Sequence, residues 1–181
     1  MKLVLNSDPA LRCLDNKIVG VDLYRHMSDF TVRAYNDTKK FEGLEFDVII
    51  TILRAALPMG ITLYQMTEKK IGFVSAKRRK DMTIDVSYKN VPPFKNALIV
   101  DGWVASGNTV VAVAEELGIK DINLFCLIAS KQAMDHIKPK NYIVGTVADK
   151  MTSNYYIIPP SPYSSRDGGN DLFYGCEKSS S

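Results

Sequence analysis

The residues with the most chemical content form one continuous stretch, Ala97-Leu98-Ile99-Val100-Asp101-Gly102-Trp103-Val104-Ala105-Ser106-Gly107-Asn108-Thr109. An apolar run reads as a buried strand ending in an acid, Asp101. The helix expected to follow runs from about 109 to 117, with Gly118 as its C-terminal cap. Small residues and hydroxyls fill the turn between them. In such a turn the backbone N–H groups of Ala105, Ser106, Gly107, Asn108 and Thr109 can converge at the helix N-terminus, where aligned peptide dipoles favour negative charge. Ser106 and Thr109 add hydroxyl donors, and Gly107 permits a positive φ or a close approach. These are the parts of a monophosphate seat. Asp101 would face the sugar carried by that phosphate, because one carboxylate can accept hydrogen bonds from two vicinal hydroxyls.

Two other readings compete for this stretch. Gly102 to Thr109 has the spacing of a Walker A loop, but Asn108 stands where that motif requires lysine, so the clamp on the β- and γ-phosphates is missing. The plainer reading is a strand-to-helix loop whose serine or threonine caps the helix. It stays open on the short motif alone. A second cationic element is Arg54, in Ile52-Leu53-Arg54-Ala55-Ala56-Leu57-Pro58-Met59. At the end of a strand its planar, permanently charged fork suits phosphate oxygens, although a surface arginine closing a loop has the same sequence. A third is Lys77-Arg78-Arg79-Lys80, which reads equally as a solvated charge run.

The elements that must position these residues follow from periodicity. Leu23, Met27, Phe30 and Ala34 recur at helical spacing, so residues 21 to about 40 form an amphipathic helix. Residues 46–52 and 71–74 are short apolar strands, with a helix over 56–65 between them. Residues 122–129 and 142–147 are further strands, joined by a short helix around 131–136. Strand, helix, strand in this rhythm predicts an α/β fold with a mainly parallel sheet. In such sheets ligands bind at the carboxyl ends of strands, where the strand order reverses.

Bulk properties narrow the rest. The 181 residues suit one domain, and 46% hydrophobic with 24% charged residues is an ordinary globular balance. A net charge of +3 with dispersed basic residues gives no footprint for nucleic acid. Cys13, Cys126 and Cys176 lack metal-ligand spacing, and His26 and His136 stand far apart, which argues against a zinc site or a disulfide framework. Cys126 reads as a small core residue. No run approaches the roughly 20 apolar residues of a membrane span, and the start of the chain is too short for a signal-peptide core. The expectation is a cytoplasmic protein.

Leu98-Ile99-Val100-Asp101 through Ala105-Ser106-Gly107-Asn108-Thr109 resembles the phosphoribosyl-diphosphate motif of type I phosphoribosyltransferases. Most of that family has two adjacent acids; here the second place is Gly102, and the uracil branch is similar in lacking the second acid. The family's Thr-Gly-Gly becomes Ser106-Gly107-Asn108. Three further segments fit the uracil branch in order. The segment around Arg54 and Ala55 resembles the loop that binds diphosphate. Residues 72–88 resemble a mobile flap over the diphosphate, longer than in relatives, so Arg78 and Arg79 both remain candidates for its arginine. Asp149, Tyr156-Ile157-Ile158-Pro159 and residues 167–175 are similar to the uracil-recognising hood. There Pro160 replaces a glycine and Ser161 to Ser165 are extra.

The resemblance implies a doubly wound, mainly parallel sheet flanked by helices, in one domain. Its core would span about 41–148, with a hood from about 1–40 and 149–178. It implies an enzyme that transfers ribose 5-phosphate from 5-phosphoribosyl 1-diphosphate to a nucleobase, uracil by closest likeness, giving the nucleoside monophosphate and diphosphate in pyrimidine salvage. Asp101 and Arg54 would be catalytic. Residues 105–109 would hold the 5-phosphate. Arg54, Ala55 and Arg78 or Arg79 would hold the diphosphate, and Tyr156, Ile157, Ile158, Asp167 and Gly169 the base. Magnesium is expected, bound mainly through the substrate with no direct protein ligation, and a homodimer or larger homo-oligomer with no nucleic-acid or membrane partner. The altered hood leaves room for another base specificity, or for a non-catalytic nucleotide-sensing relative.

Overall fold

The structure is a computed structural model that describes residues 1–6, 10, 13, 20–79, 83–152 and 157–158. In chain order its elements are β1 (Lys2–Val4), α1 (Gly20–Asp37), β2 (Val48–Leu53), α2 (Leu57–Thr67), β3 (Lys70–Arg78), β4 (Ile84–Asn90) and β5 (Ala97–Val104). Then come α3 (Asn108–Glu116), β6 (Asn123–Ser130), α4 (Lys131–Ile137), β7 (Asn141–Ala148), β8 (Lys150–Met151) and β9 (Ile157–Ile158).

Seven of the described strands form one sheet in the order β1-β7-β6-β5-β2-β3-β4. Every neighbouring pair is parallel except β3 with β4. Strands buried on both faces need continuous apolar runs, and Val48-Ile49-Ile50-Thr51-Ile52 and Leu124-Phe125-Cys126-Leu127-Ile128 supply them. On one face α1 and α2 pack over Ile49, Leu98, Val100, Phe125 and Ile143. On the other, Val110 and Val113 of α3 and Ala133 and Ile137 of α4 cover Ile50, Ile99, Leu124 and Cys126. The result is the mainly parallel α/β sheet expected from the rhythm of the chain, doubly wound as the resemblance implies.

The described part of 1–40, assigned above to a hood, is built into this body. β1 pairs with β7 from Lys2↔Tyr142 to Val4↔Val144. Leu23, Met27, Phe30, Thr31 and Ala34 of α1 are buried, and Phe30 stacks on Phe125 with ring centroids 5.6 Å apart. Of the hood expected at 149–178, the described residues hold the small antiparallel pair β8–β9.

Two elements run further than periodicity predicts. β3 extends to Arg78 because the half-exposed segment Ile84–Asn90 pairs with it as an antiparallel strand. β5 continues through Asp101 to Val104 because β6 stays beside it, with Trp103↔Ile128 and Val104↔Ala129 in register. Asp101 is therefore inside a strand rather than at its tip.

Candidate active site

β2 and β5 pair from Val48↔Ala97 to Thr51↔Val100 and then part. Chain order reverses at this junction: β2 leads to β3 and β4 on one side, β5 to β6 and β7 on the other. The crevice beyond the carboxyl ends of β2 and β5 is thus the switch point where doubly wound sheets bind ligands. The sequence puts its two candidate motifs on its two walls.

One wall is the turn Arg54-Ala55-Ala56. It is closed by the Ala56 N–H donating to the Ile52 carbonyl at 3.3 Å and the Leu57 N–H to that of Arg54 at 3.1 Å. Arg54 is exposed, and the Leu53–Arg54 peptide is cis. The turn leans on β5 at Gly102, where a Cβ would lie 3.1 Å from the Ala55 carbonyl oxygen and 3.2 Å from the Ala55 Cβ. The family's second acid is missing where a side chain would push the two walls apart.

The other wall carries Asp101, 7% exposed. Burial pushes its carboxyl up to about 7, against the opposing pull of the Gly102 and Trp103 N–H groups that donate to it. Its neighbour in register on β6 is Cys126, whose thiol is pushed up by burial and then by the Asp101 charge. A carboxyl held near neutrality at this crevice is a common mark of function, since such burial otherwise costs stability.

Beyond Val104 the chain turns through Ala105, Ser106 and Gly107 into α3. The helix starts at Asn108, and its N-cap is Gly107, left-handed at φ +84°, with no side-chain capping bond. This replaces the serine or threonine cap of the plainer reading. Ser106 Oγ takes only a long contact, 3.4 Å, from the Asn108 N–H. The first N–H groups of α3 are the ones an anion would use. Gly107 also abuts α4, where a Cβ would meet Ile137 Cγ1 at 2.8 Å and the Ala133 carbonyl oxygen at 3.3 Å.

The structure brings Arg54, Ala55, Asp101 and 105–109 to one end of the sheet. The β3–β4 hairpin overhangs the same end, because β3 pairs with β2 only to Leu53↔Ser75 and continues past it. Arg79 pairs across the hairpin with Asp85 at 3.1 Å, the arginine side chain exposed and the aspartate half-exposed. Arg78 alternates with Val74 and Ala76, on the sheet face covered by α3. Ile157 is buried with Ile128 and Ala148 against Trp103 and Ala105, which seats β9 on the ends of β5, β6 and β7. β9 places the Ile158 backbone opposite Lys150. Tyr156, Asp167 and Gly169 lie outside the described residues.

Sequence reasoning missed two residues here. Trp103 supplies an N–H to Asp101 and packs toward both the core and the hood. Ser130 ends β6 and caps α4, accepting from the Ala133 N–H at 2.9 Å. A serine just before a helix was a readable cap signal.

The uracil phosphoribosyltransferase family model matches residues 24–163. The uracil phosphoribosyltransferase of Thermococcus sibiricus is 32% identical over 79% of this chain and 70% of its own length. That of Metamycoplasma hominis is 27% identical over 80% of this chain and 78% of its own. Among solved structures, the AQ2163 protein of Aquifex aeolicus superposes with a TM-score of 0.79 at 21% identity, covering 97% of this chain and 99% of that one. A purine phosphoribosyltransferase of Pyrococcus horikoshii gives 0.51 at 20% identity over 67% and 86%. These likenesses bear on the fold, and the family match on lineage: the chain belongs to the uracil phosphoribosyltransferase family.

Proposed function

We propose that the protein transfers ribose 5-phosphate from 5-phosphoribosyl 1-diphosphate to uracil. The observation that carries this is the β2–β5 switch point, which has the Arg54 turn on one side and Asp101 and the start of α3, without a strong side-chain cap, on the other. The 5-phosphate would accept from the N–H groups of 105–109 and from the Ser106 and Thr109 hydroxyls. Asp101, ionised, would accept from the ribose hydroxyls. Arg54 would meet the diphosphate, with Arg78 closing from the hairpin, since strand alternation with Val74 and Ala76 puts it on the sheet face covered by α3.

In the reaction the bond from C1 to the diphosphate oxygen breaks, and the diphosphate leaves with the electron pair. A bond from C1 to the uracil nitrogen forms on the opposite face, and that nitrogen loses its proton. Positive charge grows on the ribose ring and negative charge on the departing group. The protein's part is to hold two substrates in line and to stabilise those charges. Asp101 near the ring and Arg54 near the diphosphate have the right signs for both.

Magnesium fits this donor set. Among the described residues no group of three His, Cys, Asp or Glu side chains forms a metal cage, and Asp101 is a single acid in the crevice. An ion that takes its ligands mostly from diphosphate oxygens and water needs no more. Its chemistry there would be to offset the charge of the leaving diphosphate. We further place the reaction in the cytoplasm, in pyrimidine salvage, and in a homodimer or larger homo-oligomer, as the resemblance implies.

The test is diphosphate release from 5-phosphoribosyl 1-diphosphate and magnesium, supplied with uracil or with each other base. Uracil-dependent release supports the reading. Release with another base alone moves the specificity, and donor binding without release leaves a nucleotide sensor.

A further inference from the structure

Ser130 lies on neither wall of the crevice, yet it is tied to the phosphate turn. It is 1% exposed at the end of β6. Its hydroxyl has one proton, donated to the Ala105 carbonyl oxygen, and it accepts from the Ala133 N–H at 2.9 Å. The Ala105–Ser106 peptide is planar and trans, so its C=O and N–H point in opposite directions. With the carbonyl drawn towards Ser130 and α4, the Ser106 N–H must face away from them. One turn later the same helix supports the turn again, where Ile137 and the Ala133 carbonyl lie against Gly107.

From this geometry we infer that Ser130 is a positioning residue for the sugar-phosphate ligand, setting the direction of the Ser106 N–H through the Ala105 carbonyl. The inference rests on the phosphoribosyl reading of the crevice. A hydrogen bond to a charged oxygen is among the stronger ones, so losing its alignment weakens binding about tenfold or more.

The experiment compares wild type with Ser130→Ala, Ser130→Gly and Ser130→Thr. It measures kcat, KM for each substrate, and affinity for ribose 5-phosphate by calorimetry. Ser130→Ala should raise the donor KM about tenfold and weaken ribose 5-phosphate equally, with kcat and the uracil KM within twofold. Ser130→Gly keeps most of the helix-cap preference and should show the same loss. Ser130→Thr keeps the hydroxyl and should restore wild-type values. Unchanged ribose 5-phosphate affinity in Ser130→Ala, a loss absent from Ser130→Gly, or a Thr variant as impaired as Ala would each overturn the inference. If wild type binds ribose 5-phosphate but transfers nothing to uracil, the proposed reaction fails while the affinity arm still decides the role of Ser130.

Discussion

At the residue scale the account turns on a buried acid that is costly to keep. Folded, Asp101 holds a proton that the unfolded chain releases near pH ~4, so stability falls as the pH climbs from about 4 to about 7. The full difference is about 4 kcal/mol, absent at acid pH and complete above neutrality. Asp101→Asn should therefore be more stable than wild type at pH 8, with the gain gone at pH 4 in urea titrations. The same variant should lose about 100-fold or more in kcat/KM. In wild type, kcat/KM should rise with pH through about 7 and then level off, because the ionised carboxylate accepts the hydroxyls. A variant both less stable and fully active would reverse that assignment. Gly102→Asp, which supplies the second acid of most type I phosphoribosyltransferases, should gain no activity. It should cost about 1–3 kcal/mol in denaturant melts, because its Cβ meets Ala55. The type and place of Asp101 were legible in the sequence. Its burial within a strand was not, since that depends on β6 continuing past the end of β2.

At the scale of elements, the apolar strands and the amphipathic α1 were readable because each buries residues at its own period. β4 was not, because Ile-Asp-Val-Ser-Tyr-Lys-Asn is half-polar and becomes a strand only by lying along β3 at the sheet edge. That pairing gives the basic run a direction. Arg79 and Asp85 form an exposed ion pair, a contact worth about 0–1 kcal/mol. Arg78 falls, by strand alternation with Val74 and Ala76, on the sheet face covered by α3. Steady-state rates should show Arg78→Ala raising the donor KM about tenfold or more, and Arg79→Ala by less than threefold. The reverse order would assign the closing arginine to Arg79. The tie between Ser130 and Ala105 was beyond sequence reading, because 25 residues separate partners that meet only once β5 and β6 pair.

At the scale of the whole molecule, helices pack on both faces of the sheet that carries the switch point. Phe30 stacks on Phe125, which Phe41 also contacts at 5.3 Å, so α1 and β6 share one aromatic centre. Phe30→Ala should cost about 3–5 kcal/mol in urea unfolding, yet leave substrate KM values near wild type in the fraction still folded. Ile157→Ala, in the hood cluster with Ile128 and Ala148, should raise the uracil KM and spare that of the donor. The parallel architecture followed from alternating strand and helix signals. The base-binding residues expected at Tyr156, Asp167 and Gly169 fall outside the described residues. The most direct measurement is a crystal structure with 5-phosphoribosyl 1-diphosphate and magnesium bound. The account predicts the 5-phosphate on the amides of 106–109, the ribose hydroxyls on Asp101 and the diphosphate against Arg54. A donor seated elsewhere, or one leaving Asp101 without a hydroxyl partner, would contradict it.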